Sequence, residues 1–195
     1  MNRRGFTLLE IMIVVAILGA LVAFAAPRLF KKDNSNVRTV ARSFIVLSKT
    51  IRDKARLTNS TYRLVINMDE SANTYWVERA NGPMLLDPNE AEKEKEREQD
   101  KDNAPPAAFQ VDKSIFKKEK TLPGILRFGS LETINSKAPM SAGTGYIYFF
   151  PEGLVEASAL QITNGTNLTW TLVFNPLTGQ ADIVPKAQSL KDIQR

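Results

Sequence analysis

From Phe6 to Ala26 the chain reads FTLLEIMIVVAILGALVAFAA, twenty-one residues carrying a single charge, Glu10. Wound as an α-helix at about 1.5 Å per residue, such a run is about 30 Å long, the thickness of a bilayer's hydrocarbon core. The spacing predicts a membrane-spanning helix, and whatever else the chain forms must hang from it. Ahead of the run stand Met1-Asn2-Arg3-Arg4-Gly5, whose two cations favour a cytoplasmic N-terminus and a C-terminus across the membrane. Arg28, Lys31 and Lys32 put comparable charge beyond the far end, so charge bias alone leaves the topology open. Cleavage in the small-residue stretch Gly19 to Ala26, as in a secretory signal, is a competing reading.

Glu10 argues against an ordinary signal. A carboxylate in an apolar helix costs roughly 2.5–3.5 kcal/mol at mid-membrane on insertion scales, and such groups are usually functional. A cut between Gly5 and Phe6 would supply a partner. The new α-amine, with a reference pKa of about 8, would be a cation one helical turn from Glu10. Between staggered parallel helices the same two groups could also meet across subunits and set a register. The alternative is that Glu10 snorkels to the headgroups.

Arg3-Arg4-Gly5-Phe6-Thr7-Leu8-Leu9-Glu10, followed by the apolar run, resembles the class III (type IV prepilin) signal, in which Gly precedes the cut and Glu is the fifth mature residue. The resemblance implies cleavage at Gly5/Phe6 by a prepilin peptidase and N-methylation of Phe6. It also implies storage in the inner membrane and extraction into a helical filament. Pro27 lies where type IV pilins commonly carry a proline. Inside a helix it removes a backbone hydrogen bond and favours a kink, at about 3 kcal/mol; alternatively it marks the membrane exit.

Beyond a polar gap, a buried face returns at Val37, Val40, Ala41, Phe44, Ile45, Leu47, Ser48, Ile51 and Ala55, which is helical spacing with one apolar face. The basic residues Arg38, Arg42, Lys49, Arg52 and Arg56 fall largely off that face and read as solvated. A helix from Phe6 to about Ala55, kinked at Pro27, is on the order of 75 Å long. Period-two segments follow at Tyr62 to Met68 and Thr74 to Arg79, reading as a hairpin. Further strands are expected at 125–128, 146–150, 156–163, 168–175 and 180–184. Their breaks, Pro151-Glu152-Gly153, Asn164-Gly165-Thr166-Asn167 and Asn175-Pro176-Leu177-Thr178-Gly179, carry the turn chemistry of antiparallel hairpins.

Between the first hairpin and the later strands, about 80–110, lies a charged insertion. From Asp87 to Asp102 it holds eight acids and four bases, so the remainder of the chain carries +9 of the net +5. It reads as a loop or a solvated short helix, the sharper alternatives being an acidic docking arm or a calcium site. Carboxylates interleaved with lysines make a poor cation cage. Asn164 and Asn167 begin N-x-Thr sequons, but hairpin geometry explains Asn164-Gly165 without glycosylation.

Composition removes several function classes. The chain has no histidine and no cysteine, which takes away the usual general base and the commonest metal ligands. No catalytic residue, metal site or cofactor is expected. The excess of basic residues is scattered rather than clustered with aromatics, so no nucleic-acid surface is expected either.

The expected fold is α+β: a pilin-like long helix on a mainly antiparallel sheet. Its parts are a leader at 1–5, a transmembrane and filament-core helix at 6–27, an amphipathic second half at 28–57, and a periplasmic head at 58–195. The layout is similar to the H-type minor pseudopilins of type II secretion, the GspH/FimT family. The segments Tyr148-Phe149-Phe150-Pro151-Glu152-Gly153 and Leu172 to Gln180 carry that likeness in the head. It implies a structural subunit near a filament tip. Its implied partners are major and minor pseudopilins, the prepilin peptidase and methyltransferase, and an inner-membrane assembly platform. Two alternatives remain: a minor pilin of a surface or DNA-uptake system, and a single-pass anchor bearing a periplasmic binding head.

Overall fold

The computed structural model describes residues 8–70, 72–84, 108–136 and 138–193, the side chains of 22–36 excepted. Its first element, α1 (Leu8–Thr58), is one helix of 51 residues that continues through Pro27. It ends where Asn59 takes a left-handed backbone, φ 48°, and Ser60 N–H donates to Ala55 O at 3.2 Å. That cap turns the chain straight into the first strand.

Among the described residues, nine strands follow in two antiparallel sheets. The first contains β1 (Tyr62–Asn67), β2 (Thr74–Ala80), β3 (Phe109–Val111), β4 (Lys120–Thr121) and β6 (Thr144–Phe149). Its order is β3-β2-β1-β6, with β4 pairing the other end of β2. The second sheet, β5-β7-β8-β9, consists of β5 (Arg127–Thr133), β7 (Ser158–Thr163), β8 (Thr169–Phe174) and β9 (Ala181–Val184). The architecture is thus α+β, but the head is divided between two sheets rather than built on one.

Sequence periodicity accounts for the helix-to-head seam. Val37, Val40, Ala41, Phe44, Leu47, Ile51 and Ala55 are all buried in the main core. They meet Tyr62, Leu64 and Ile66 of β1, Val77 of β2 and Ile147 and Phe149 of β6, together with Leu160, Ile162, Leu172 and Phe174 of the second sheet. Phe44 stands at the centre, its ring centroid 4.8 Å from that of Tyr75 and 6.3 Å from that of Phe128.

Two local departures from the sequence reading have clear causes. Strand β5 is longer than expected because the register shifts between Phe128 and Leu131, and this bulge breaks the two-residue alternation. Strands β3 and β4 have only three and two residues, too short to leave a periodic signal. The expected 80–110 insertion lies mostly outside the described residues.

The first sheet has a second, smaller core on its far face, where Ala80, Phe109 and Tyr148 are buried with Met84, Tyr146 and Phe150 against them. Within it Arg63 of β1 is sandwiched, its guanidinium 4.1 Å from the Phe109 ring centroid and 4.2 Å from that of Tyr146. Arg63 Nε donates to Glu78 at 2.7 Å and Nη2 approaches the same oxygen at 2.5 Å; Trp76 Nε1 donates to the other oxygen at 2.7 Å.

Glu156 is a buried acid at the junction between β6 and β7. Its amide donates to Tyr148 O at 2.8 Å, and Asn135 Nδ2 donates to its carboxylate at 2.9 Å. Burial holds its carboxyl above the ordinary glutamate value, and hydrogen bonds from Thr133 and Asn135 offset only part of that rise. Because the folded protein holds this proton more tightly than the unfolded chain does, its contribution to stability is complete below the unfolded value, about 4.3. It declines as pH rises through the raised folded value. Glu156→Gln should therefore match the parent near pH 4 and exceed it in stability at neutral pH. Urea unfolding of both proteins from pH 4 to 8 checks this; parallel stability profiles would exclude titration of Glu156 as their source.

Candidate functional site

Among the described residues no constellation of catalytic side chains stands out, and the candidate site is a surface along α1. From Leu8 to Leu21 its large apolar residues are exposed. Ile11, Met12, Ile13, Val14 and Val15 are consecutive, and each is turned about 100° from the last, so they look outward in every direction around the axis. A helix that is apolar all round is fitted to lipid or to a bundle of other helices. Past Val37 the character changes, one side being buried on the head and the other carrying exposed Arg38, Arg42 and Lys49.

The residues expected to act in processing and assembly distribute along this element. Gly5 and Phe6 lie outside the described residues. Glu10 is in the first turn of α1 and exposed, where an acid is favoured by the positive end of the helix dipole. Pro27 lies within the continuous helix, and its side chain is outside the description. Of the expected span 6–27, the backbone is described from Leu8 onward as part of α1 and the side chains from Leu8 to Leu21. Among the described residues no helix is long and apolar enough to cross a membrane.

Sequence reasoning set Ser48 on the buried face of α1 but missed how the helix grips the head. Ser48 is fully buried and donates to Gly179 O at 2.8 Å. Arg52, expected in solvent, is half-buried instead: its Nη1 donates to Thr178 O, and its aliphatic stem lies so close to Gly179 that a Cβ there would collide with it. Gly179 has φ 63°, which together with that contact suits glycine alone. Arg56 packs in the same way on Gly153, φ 88°. Lys54 reaches Ser114, which also bonds Asp112. Burial pushes the Asp112 carboxyl up, but the Ser114 hydroxyl and amide and the Lys54 charge bring it below its ordinary value. The signal available in sequence was the pair of glycine turns, Pro151-Glu152-Gly153 and Asn175 to Gly179, whose positive-φ residues had to face something close.

Residues 1–26 match the family model described as "Prokaryotic N-terminal methylation motif". Among curated proteins, the chain is 42% identical over 61 residues to a type II secretion system core protein G of Pectobacterium carotovorum subsp. carotovorum. That alignment covers 31% of this chain and 39% of the relative. It is 39% identical over 62 residues to the protein of the same name from Klebsiella michiganensis, covering 31% and 43% respectively. The chain thus spans about two fifths of the length of these relatives. A crystal structure of the minor pseudopilin EpsH from the type II secretion system of Vibrio cholerae overlays with a TM-score of 0.49 and 14% identity, covering 78% of this chain and 98% of that one. The overlay is too loose to carry an assignment. What the chain demonstrably has is a prokaryotic N-terminal methylation motif and, over about a third of its length, similarity to the core protein G of type II secretion.

Proposed function

We propose that this chain is a minor pseudopilin of the H type: a structural subunit, not an enzyme, of a type II secretion pseudopilus that helps drive folded proteins across the outer membrane. One observation carries the reading. A methylation motif at residues 1–26 leads into a single 51-residue helix whose exposed side chains are apolar in every direction over its described start. A free-standing globular protein has no use for that surface, whereas a filament subunit needs it twice, first against lipid and then against its neighbours' helices. The similarity to core proteins named for secretion favours this system over a surface pilus or DNA-uptake filament.

On this reading a prepilin peptidase cuts between Gly5 and Phe6 on the cytoplasmic side, and the new amine of Phe6 is N-methylated. The segment 6–27 crosses the inner membrane once, leaving the head in the periplasm. Glu10 pairs with a methylated amine, which removes the cost of an isolated carboxylate in an apolar bundle and fixes the axial register of subunits. Pro27 lowers the cost of bending α1 as it passes from bilayer to filament. The partners are other pseudopilins, the peptidase and methyltransferase, and the inner-membrane platform that extracts the subunit.

Mass spectrometry of the native N-terminus tests the processing, with N-methylated Phe6 as the expected first residue. An intact Met1, or a cut near Ala26, overturns it. Glu10→Val should still be cut, yet enter filaments at least about tenfold less often; normal incorporation would remove the pairing role while leaving the processing intact.

A further inference from the structure

A polar cleft opens between the two sheets, at the end of the head nearer the apolar start of α1. Phe128, which lines it, packs on Phe44, whereas the turns at Gly179 and Gly153 meet Ser48 and Arg56 further along the helix. Its volume is about 460 Å³, and Glu70, Asn73, Arg127, Ser141 and Thr169 are among its walls. Small-ligand sites are commonly of this size.

The two sheets bring opposite charges to this cleft. From β5 the Arg127 guanidinium lies over the β7–β8 turn, so close to Gly165, φ 80°, that a Cβ there would fall 2.6 Å from Nη2. Asn164 Oδ1 accepts from the amides of Thr166 and Leu168, each at 3.1 Å, and Thr163 Oγ1 accepts from that of Gly165 at 3.0 Å. The shelf beneath the cation is therefore stiff, and its amides are already taken. Glu70 comes from the β1–β2 turn, which Asn73 ties to β5: its Nδ2 donates to Glu70 O at 3.3 Å, and its Oδ1 accepts from Phe128 N–H at 3.1 Å. Among the described residues neither the guanidinium nor the Glu70 carboxylate has a hydrogen-bond or ion-pair partner, and the two do not pair with each other.

Most surface charges meet water alone; these two line one cavity from separate sheets without reaching each other. A ligand that satisfies both carries a negative group for Arg127 and a positive one for Glu70. With no second base in the lining and no free amide in the turn, Arg127 offers parallel N–H groups to one planar pair of oxygens, which suits a carboxylate better than a doubly charged phosphate. Glu70 only accepts, which suits an ammonium that still has N–H bonds. We propose that the cleft binds a short peptide with both termini free, its carboxylate on Arg127 and its ammonium on Glu70. The hydroxyls of Ser141 and Thr169 face the peptide group between them. Nothing in this assignment depends on the pseudopilin reading.

Full-length, isotope-labelled protein in a maltoside detergent, titrated with glycylglycine while the amides of Gly129 and Gly165 are followed by NMR, tests this. Both signals should move saturably. N-acetyl-glycylglycine, which lacks the ammonium, and glycylglycinamide, which lacks the carboxylate, should each bind at least about tenfold more weakly. Glycylglycine should lose a similar factor on Arg127→Met and on Glu70→Gln, with thermal unfolding unchanged because both side chains are exposed. The blocked peptides are read on the parent protein, so they decide the matter even if a variant unfolds. Undiminished binding of either blocked peptide, undiminished binding by either folded variant, or no saturable shift at all overturns the proposal. Phosphoethanolamine binding as tightly as glycylglycine overturns the choice of a peptide carboxylate.

Discussion

Phe44→Ala should lower the unfolding free energy by about 3–5 kcal/mol, the usual result of emptying a large buried aromatic site. Phe44 is the residue through which α1 touches both halves of the head. Its ring packs on Tyr75 of the first sheet and on Phe128 of the second, and those two rings lie edge-on to each other at 6.2 Å. No single neighbour can collapse into the vacancy without leaving the other sheet. A domain of ordinary stability, about 5–15 kcal/mol, loses a large part of its margin. Thermal unfolding of the detergent-solubilised protein should shift down by roughly 10 °C, and a shift below about 2 °C would mean that the helix is not wedged between the sheets as described.

Glu78→Ala should cost about 3 kcal/mol for a different reason. Its side chain is 13% exposed and that of Arg63 is 6% exposed, so the pair is removed from most of the screening that makes surface ion pairs weak. The substitution takes from Arg63 its carboxylate and from Trp76 its acceptor, while the guanidinium stays clamped between Phe109 and Tyr146. Removing one member of a buried pair is the expensive change; replacing both members with apolar groups often is not. Adding Arg63→Met to Glu78→Ala should therefore recover a substantial part of the loss. If the double variant is no more stable than Glu78→Ala in urea, the cost came from lost packing rather than from stranded charge.

The two sites also mark where sequence reading succeeded and where it stopped. Phe44 was legible because α1 repeats its apolar residues every three or four positions from Val37 to Ala55, and the structure buries that face. Arg63 was not, because a cation inside an alternating strand reads as solvent-facing. Its face is closed by Tyr146 and Tyr148 of a strand more than eighty positions away, and that pairing, β1 with β6, leaves no trace in local pattern. The same nonlocality hid the division into two sheets. At the helix surface, Glu10 announces itself as a lone charge in an apolar run. Arg127 does not, because a cation at the start of a strand reads as solvated, and only the fold brings Gly165 beneath it and Glu70 into the same cleft.

If α1 is drawn out of a bilayer, as the proposed function requires, the grip of Ser48, Arg52 and Arg56 on two glycine turns decides how the head follows. These contacts lie along the flank of α1, and the Asn59 cap joins its end directly to β1, the strand between β2 and β6. Traction along the helix axis loads them in shear, together, instead of peeling them one after another. On the proposed reading the head would be hauled as rigid cargo, and an extracting machine would spend its work on moving the subunit rather than on deforming it.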